Sequence, residues 1–143
     1  VKKICSVVDG EISAVGNTCG NGWRKVFNVY AKLMFALPRD KFPFAKDYTS
    51  WQQYRDEELL REESNTALFF EAQELGNHEH ADVTIVMGRT YAKSLDLPKS
   101  IAWLNEEFAI DTEHKLIVCP YFDYRKLSNI KILYLVKLIR AEM

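Results

Sequence analysis

The chain has 143 residues, 48% of them apolar and 27% charged, with a formal net charge of −1. A chain of this size buries roughly two thirds of its unfolded surface, and this composition excludes disorder. Near-neutrality removes any overall electrostatic reason to bind nucleic acid or an anionic membrane. No apolar run approaches the ~20 residues of a membrane span, and no basic-then-apolar leader opens the chain. The expectation is one cytoplasmic domain over residues 1–143 with no membrane partner, and the start at Val1 rather than a methionine is what a trimmed chain would show. Cys5, Cys19 and Cys119 form neither an even set nor a CxxC pair, which predicts reduced thiols. Cys5 and Cys119 sit in apolar runs, where cysteine behaves as a small core residue.

Residues 3–8 (KICSVV) predict a short strand ended by the turn signal Asp9-Gly10. A Gly/Asn-rich loop over 16–22 leads to Asn21, a helix cap. Trp23, Val26, Phe27, Tyr30, Leu33, Met34 and Leu37 then recur at helical spacing until Pro38. Trp23 reads as a core anchor. Arg24 sits near the positive end of that helix, where a base is unfavourable; the alternatives are an anion, an acidic neighbour or no special cause. Residues 38–50 predict an irregular connection. Ser50 caps a second helix over 51–63, with Trp51, Tyr54, Leu59 and Leu60 as its apolar face. TALFF at 66–70 reads as a strand, with a helical continuation competing, and GNHEH at 76–80 as a loop. VTIVMG at 83–88 has the β-branched, glycine-ended pattern of a strand covered on both faces. Short helices are predicted over 89–95 and 100–108, the latter from Ile101, Leu104 and Phe108. A second buried strand is predicted at 115–119, and a final helix over 129–140 with Ile132, Leu135, Val136 and Ile139 inward. This alternation predicts an α/β fold: a small parallel sheet flanked by helices on both faces.

Charge is polarised along the chain. Over residues 56–79 eight acids stand against Arg61, and over 114–143 six bases stand against Asp123 and Glu142. Such blocks are usually solvated faces; the alternative is an anion-facing C-terminal end.

In open α/β sheets ligands bind past the carboxyl ends of strands, and two such ends draw attention. Gly88 either lets backbone approach a ligand, with Arg89 and the following helix start beside it, or simply makes the turn. The stretch CPYFDYRKLSN, residues 119–129, is denser. Pro120 fixes the exit from the strand, and Tyr121, Phe122 and Tyr124 offer stacking faces. Asp123 and Arg125 supply an acceptor and a forked donor, and Ser128 or Asn129 caps the next helix. The alternative is aromatics folded over the core with Asp123 paired to Arg125. The candidate ligand-binding set is Gly88, Arg89, Cys119, Pro120, Tyr121, Asp123, Tyr124, Arg125 and Asn129. No catalytic residue stands out. Cys119 lacks a local base and reads as core. His78 and His80, with Glu79 between them and His114 elsewhere, have no matched second pair, so no metal or other cofactor is expected. No GxSxG, Walker-type loop or GxGxxG is present.

The order NGWRKVF plus helix, DVTIVMGRTYAKSL, then KLIVCPYFDYRKLSN resembles the uracil-DNA glycosylase superfamily, its mismatch-specific branch in particular, over roughly residues 17–140. A closer resemblance is to an uncharacterised bacterial family with the same CPYFDYR signature. The superfamily likeness rests on an Asn-rich loop opening an early helix, on Gly88 ending the penultimate strand and on Pro120 in the loop after the last one. Cys119 stands where the superfamily has its catalytic His or Asn, and Tyr121 where it has Ser. Nothing between residues 7 and 15 reproduces the Gly-x-Asp/Asn-Pro loop that places water and base. The resemblance therefore implies a glycosylase-like fold that binds a nucleobase, nucleotide or nucleic acid without standard base excision. Tyr121 and Tyr124 would stack, Asp123 and Asn129 would read an edge, and Arg125 and Lys126 would meet a phosphate. The competing expectation is a protein-interaction or oligomerisation module using the exposed aromatics and the acidic helix.

Overall fold

The computed structural model describes residues 4–8, 21–38, 42–61, 64–69 and 82–142. Six strands form one sheet among them: β1 (Ile4–Val7), β2 (Thr66–Phe69), β3 (Val83–Met87), β4 (Ala102–Trp103), β5 (Ala109–Asp111) and β6 (Leu116–Cys119), in the order β2-β1-β3-β6-β5-β4. The helices are α1 (Asn21–Ala36), α2 (Trp51–Glu57), α3 (Arg89–Lys93) and α4 (Asn129–Glu142), with a 3-10 turn at Pro43–Ala45.

The sheet is mixed, which corrects the expectation of a parallel one. β2, β1, β3 and β6 are parallel, but β5 runs antiparallel to β6, and β4 antiparallel to β5. The predicted helix over 100–108 is replaced by the β4–β5 hairpin. The 3-4 spacing of Ile101, Leu104 and Phe108 mimics a helix. Instead, Asn105 Oδ1 accepts the backbone N–H groups of Glu107 (2.8 Å) and Phe108 (2.9 Å), and the Leu104 N–H donates to the Phe108 carbonyl (2.9 Å). An asparagine serving its own turn competes directly with helix, and connections this short can join only antiparallel strands.

The parallel strands read as buried because both faces are covered. Ile85, Met87, Ile117 and Cys119 face the main core beneath α1, α2 and α4, while Val86 and Val118 face a smaller cluster with Ala92 of α3, and Tyr91, Leu95 and Ile101 packed around it. The inward face of α1 packs as its periodicity predicts, with Tyr30, Leu33 and Met34 fully buried. The Tyr30 hydroxyl donates to the Ala67 carbonyl of β2 at 2.9 Å, so a buried polar group is satisfied by sheet backbone. Ser50 Oγ accepts from Gln53 N at 3.2 Å, the expected cap. However, α2 ends at Glu57 rather than running to 63, because Leu60 turns into the left-handed region (φ 63°), where its N–H donates to Thr66 Oγ1 at 2.9 Å. Residues 66–69 are strand rather than helix. Among the described residues no helix is long and apolar enough to cross a membrane.

Candidate functional site

β3 and β6 pair in parallel with Met87 opposite Cys119, so both strands end on one rim. The pairing runs one step further: the Gly88 N–H donates to the Cys119 carbonyl at 2.7 Å. Gly88 then bends the chain away at φ +102°, a conformation that strains any residue with a side chain, while a Cβ there would still have room, meeting Tyr91 Cβ at 3.9 Å. This glycine is required by backbone angle rather than by crowding. The helix it opens is only five residues long and carries little macrodipole, so the expected pull of that helix on an anion is weak.

The loop leaving β6 is fastened from inside. Phe122 and Leu127 are fully buried, and Phe122 meets Tyr30 of α1 edge to face, with ring centroids 5.4 Å apart. Between these anchors Asp123 shapes the turn. Its carbonyl accepts the N–H groups of Lys126 and Leu127, both at 2.8 Å, and its Oδ1 accepts the Arg125 N–H at 2.9 Å. The Arg125 guanidinium closes on the same carboxylate (Nη2 to Oδ2, 3.0 Å), and Lys25 of α1 lies 3.7 Å away. Asp123 is buried, and the hydrogen bonds from Arg125, aided by Lys25, hold its carboxyl below the usual range against the opposing effect of burial.

Between the two strand ends lies an open groove of about 650 Å³, within the range of small-molecule sites. Gly88, Arg89, Pro120, Tyr121 and Asp123 line it, so five of the nine candidates meet there. Tyr121 is half-buried, and burial together with Asp123 raises its phenol above the ordinary value. The other four stand elsewhere. Cys119 is fully buried beneath the rim, where desolvation pushes its thiol far up and its Sγ faces the Pro120 carbonyl at 3.3 Å. Tyr124 is 60% exposed under the Arg125 guanidinium, outside the groove lining. Arg125 is engaged with Asp123, and Asn129 is exposed at the first position of α4. The Asp123–Arg125 pairing weighed against a ligand role is therefore real, although Asp123 also lines the groove.

Several lining residues escaped the sequence reading. Tyr91 and Ser94 come from α3 and the residue after it, and Glu106 and Glu107 from the β4–β5 turn. Glu107 is held by Lys131 of α4 at 2.7 Å. The two acids could not be seen because residues 100–108 read as a helix; Tyr91 was visible as an aromatic three residues past Gly88. Lys126, considered for phosphate contact, does line the groove.

Among the described residues two other clusters have chemical content. Asp111, Glu113 and His114 bring ligand-type atoms within 4.8 Å of one another. The buried Asp111 carboxylate is already occupied: Oδ1 accepts the N–H groups of Glu113 and His114, and Oδ2 meets Ser100 Oγ (2.7 Å) and His114 Nδ1 (2.9 Å). Ser100 also addresses His114 Nδ1, so serine and aspartate share one ring nitrogen and no proton relay links them. The cluster is a clasp for the β5–β6 turn. Arg24 lies exposed in a second groove between α1 and α2, of about 630 Å³, beside Asn28 and Arg55. There Arg55 binds Asn28 at 2.7 Å and Asp56 at 2.9 Å, so the acid that lines this groove with Arg24 is paired with Arg55. His78, Glu79, His80, Cys19 and the turn expected at Asp9-Gly10 lie outside the described residues; Cys5 and Cys119 are both buried.

The chain belongs to a family of unknown function (DUF6942), which it matches over residues 1–140. No curated protein and no solved structure matches it significantly.

Proposed function

We propose that the groove between the Gly88 turn and the 120–126 loop binds a nucleobase or nucleotide, in a glycosylase-like cytoplasmic domain that performs no standard base excision. The observation that carries this reading is the parallel pairing of β3 with β6, which brings Gly88 and Tyr121 to one rim beside a cavity of small-molecule size. Tyr121 and Tyr91 supply ring faces on which a planar heterocycle stacks, and Glu106 supplies acceptors for its amino edge. Arg89 and Lys126 meet a phosphate. Three acids (Glu106, Glu107, Asp123) against these two bases keep the lining from being basic, which favours a single nucleotide over a long polyanion. Cys119 offers no replacement for a catalytic His or Asn, because a thiol buried and held protonated neither orients water nor attacks. The buried thiol of Cys119, which forms no disulfide, suits a reducing compartment.

Calorimetric titration with nucleosides, nucleoside monophosphates and a short single-stranded oligonucleotide tests this. A monophosphate is expected to bind, and Tyr121→Ala to weaken it roughly tenfold, the usual value of one base–aromatic stack. Lys126→Ala should weaken the monophosphate but not the nucleoside. Incubation with uracil-containing DNA should yield no abasic sites. Silence with every base-containing probe would end the proposal.

A further inference from the structure

The outward face of α4 carries three large apolar side chains beside its charged ones. Ile132, Leu135 and Ile139 turn into the core, which is where the apolar stripe of a surface helix should stop. Yet on the opposite side Ile130 is 81% exposed, Leu133 63% and Tyr134 36%. Helical spacing places these three together on one stripe, with Lys137 continuing it toward the C-terminal end. Large apolar side chains grouped this way on a soluble face mark an interaction surface.

The charges around the stripe indicate what covers it. The β4–β5 turn packs against the N-terminal half of α4: Phe108 meets Tyr134 edge to face, with centroids 4.8 Å apart, and Glu107 bridges to Lys131. Glu106 therefore stands exposed beside this half, whereas Lys137 is exposed on the other half. Acid at one end and base at the other, with an apolar middle, is complementary to itself when turned end for end. We infer that α4 pairs with α4 of a second copy, antiparallel about a two-fold axis near Leu133 and Tyr134. A patch that contains both halves of its own complement closes as a two-fold dimer and leaves nothing unsatisfied to propagate. In this arrangement Ile130 lies on the aliphatic stem of Lys137 from the other copy, whose ammonium reaches Glu106. A parallel arrangement would set Lys137 against its own copy. Because Glu106 and Glu107 also form one wall of the groove, the second copy stands at its lip. The dimer does not depend on the ligand reading.

Sedimentation velocity decides the matter. The intact protein should sediment at twice its chain mass of 16.6 kDa. Ile130→Glu with Leu133→Glu should sediment as a monomer with an unchanged far-UV spectrum, since neither side chain is part of the core. Lys137→Glu should raise the dimer Kd roughly tenfold, because two symmetry-related attractions become repulsions. Adding Glu106→Lys to it should restore the Kd, a rescue that nonspecific hydrophobic association cannot produce. Tyr121→Ala should remain dimeric. An intact protein that stays monomeric at the highest concentration reached, a dimer that survives the Ile130/Leu133 substitutions, or a charge swap that fails to rescue each overturns the inference.

Discussion

The two ends of β6 are each organised by a buried aspartate, and the contrast between them separates a fastened turn from an open groove. Asp111, before the strand, accepts two backbone N–H groups on one oxygen and meets Ser100 and His114 on the other. Asp123, after the strand, likewise accepts a backbone N–H two residues on, but its remaining contacts are the charges of Arg125 and Lys25. At Asp111 burial would raise the carboxyl, yet the bonds from Ser100 and His114 hold it below its usual range. At Asp123 the bonds from Arg125 act first. One aspartate is consumed in closing a hairpin. The other orders a loop and still presents an edge to a cavity. Similar local chemistry thus makes a clasp where strands are joined directly and a groove wall where a strand gives way to a helix on an open rim.

Substituting the clasp should produce the largest effect. Asp111→Ala removes the acceptor of two backbone N–H groups and of Ser100. The carboxylate is buried, but Ser100, Glu113 and His114 are exposed and regain water, so the cost should be about 2 kcal/mol in urea unfolding. Nucleotide affinity of the folded fraction should stay unchanged; a loss of affinity equal to that of Tyr121→Ala would erase the distinction between the two ends. Asp123→Asn should cost less, about 1 kcal/mol, because Arg125 is exposed and regains water when its partner is neutralised. This variant should nevertheless alter binding. The acid limb of stability sharpens the point. Both carboxyls are depressed in the folded state, so their contribution is complete above the ordinary carboxylate pKa of about 4 and is lost as pH falls through the lower folded values. Stability measured from pH 6 downward should fall in the intact protein and fall less steeply in either variant; a slope unchanged in both would contradict the assignment. Tyr124→Ala should do least, within ~0.5 kcal/mol and without effect on ligand, since its ring lies outside the groove. A large loss of binding there would move the site to the outer side of the loop.

How much of the site was legible in the sequence follows from how local each cause is. Gly88 and Pro120 were readable because a bend at positive φ and a fixed strand exit are properties of single residues. Within the stretch CPYFDYRKL the residue types were plain, but not which way each pointed. Phe122 and Tyr124 are both aromatic, and only the packing of Tyr30 beneath the loop decides that the first is core and the second faces solvent. Arg125 and Lys126 are both bases, and only the turn made by Asp123 assigns one to a carboxylate and the other to the groove.

The sequence by itself determined the buried strands, the long helix α1, the cap at Ser50 and the α/β alternation, because β-branched runs, helical spacing and capping act over a few residues and need no partner. Tertiary structure alone decided that the sheet turns antiparallel at β5, that Glu106 and Glu107 wall the groove, and that Ile130 and Leu133 of α4 stay exposed among the described residues. Those outcomes depend on which surfaces remain after the core has closed, a competition among distant segments that no local pattern records.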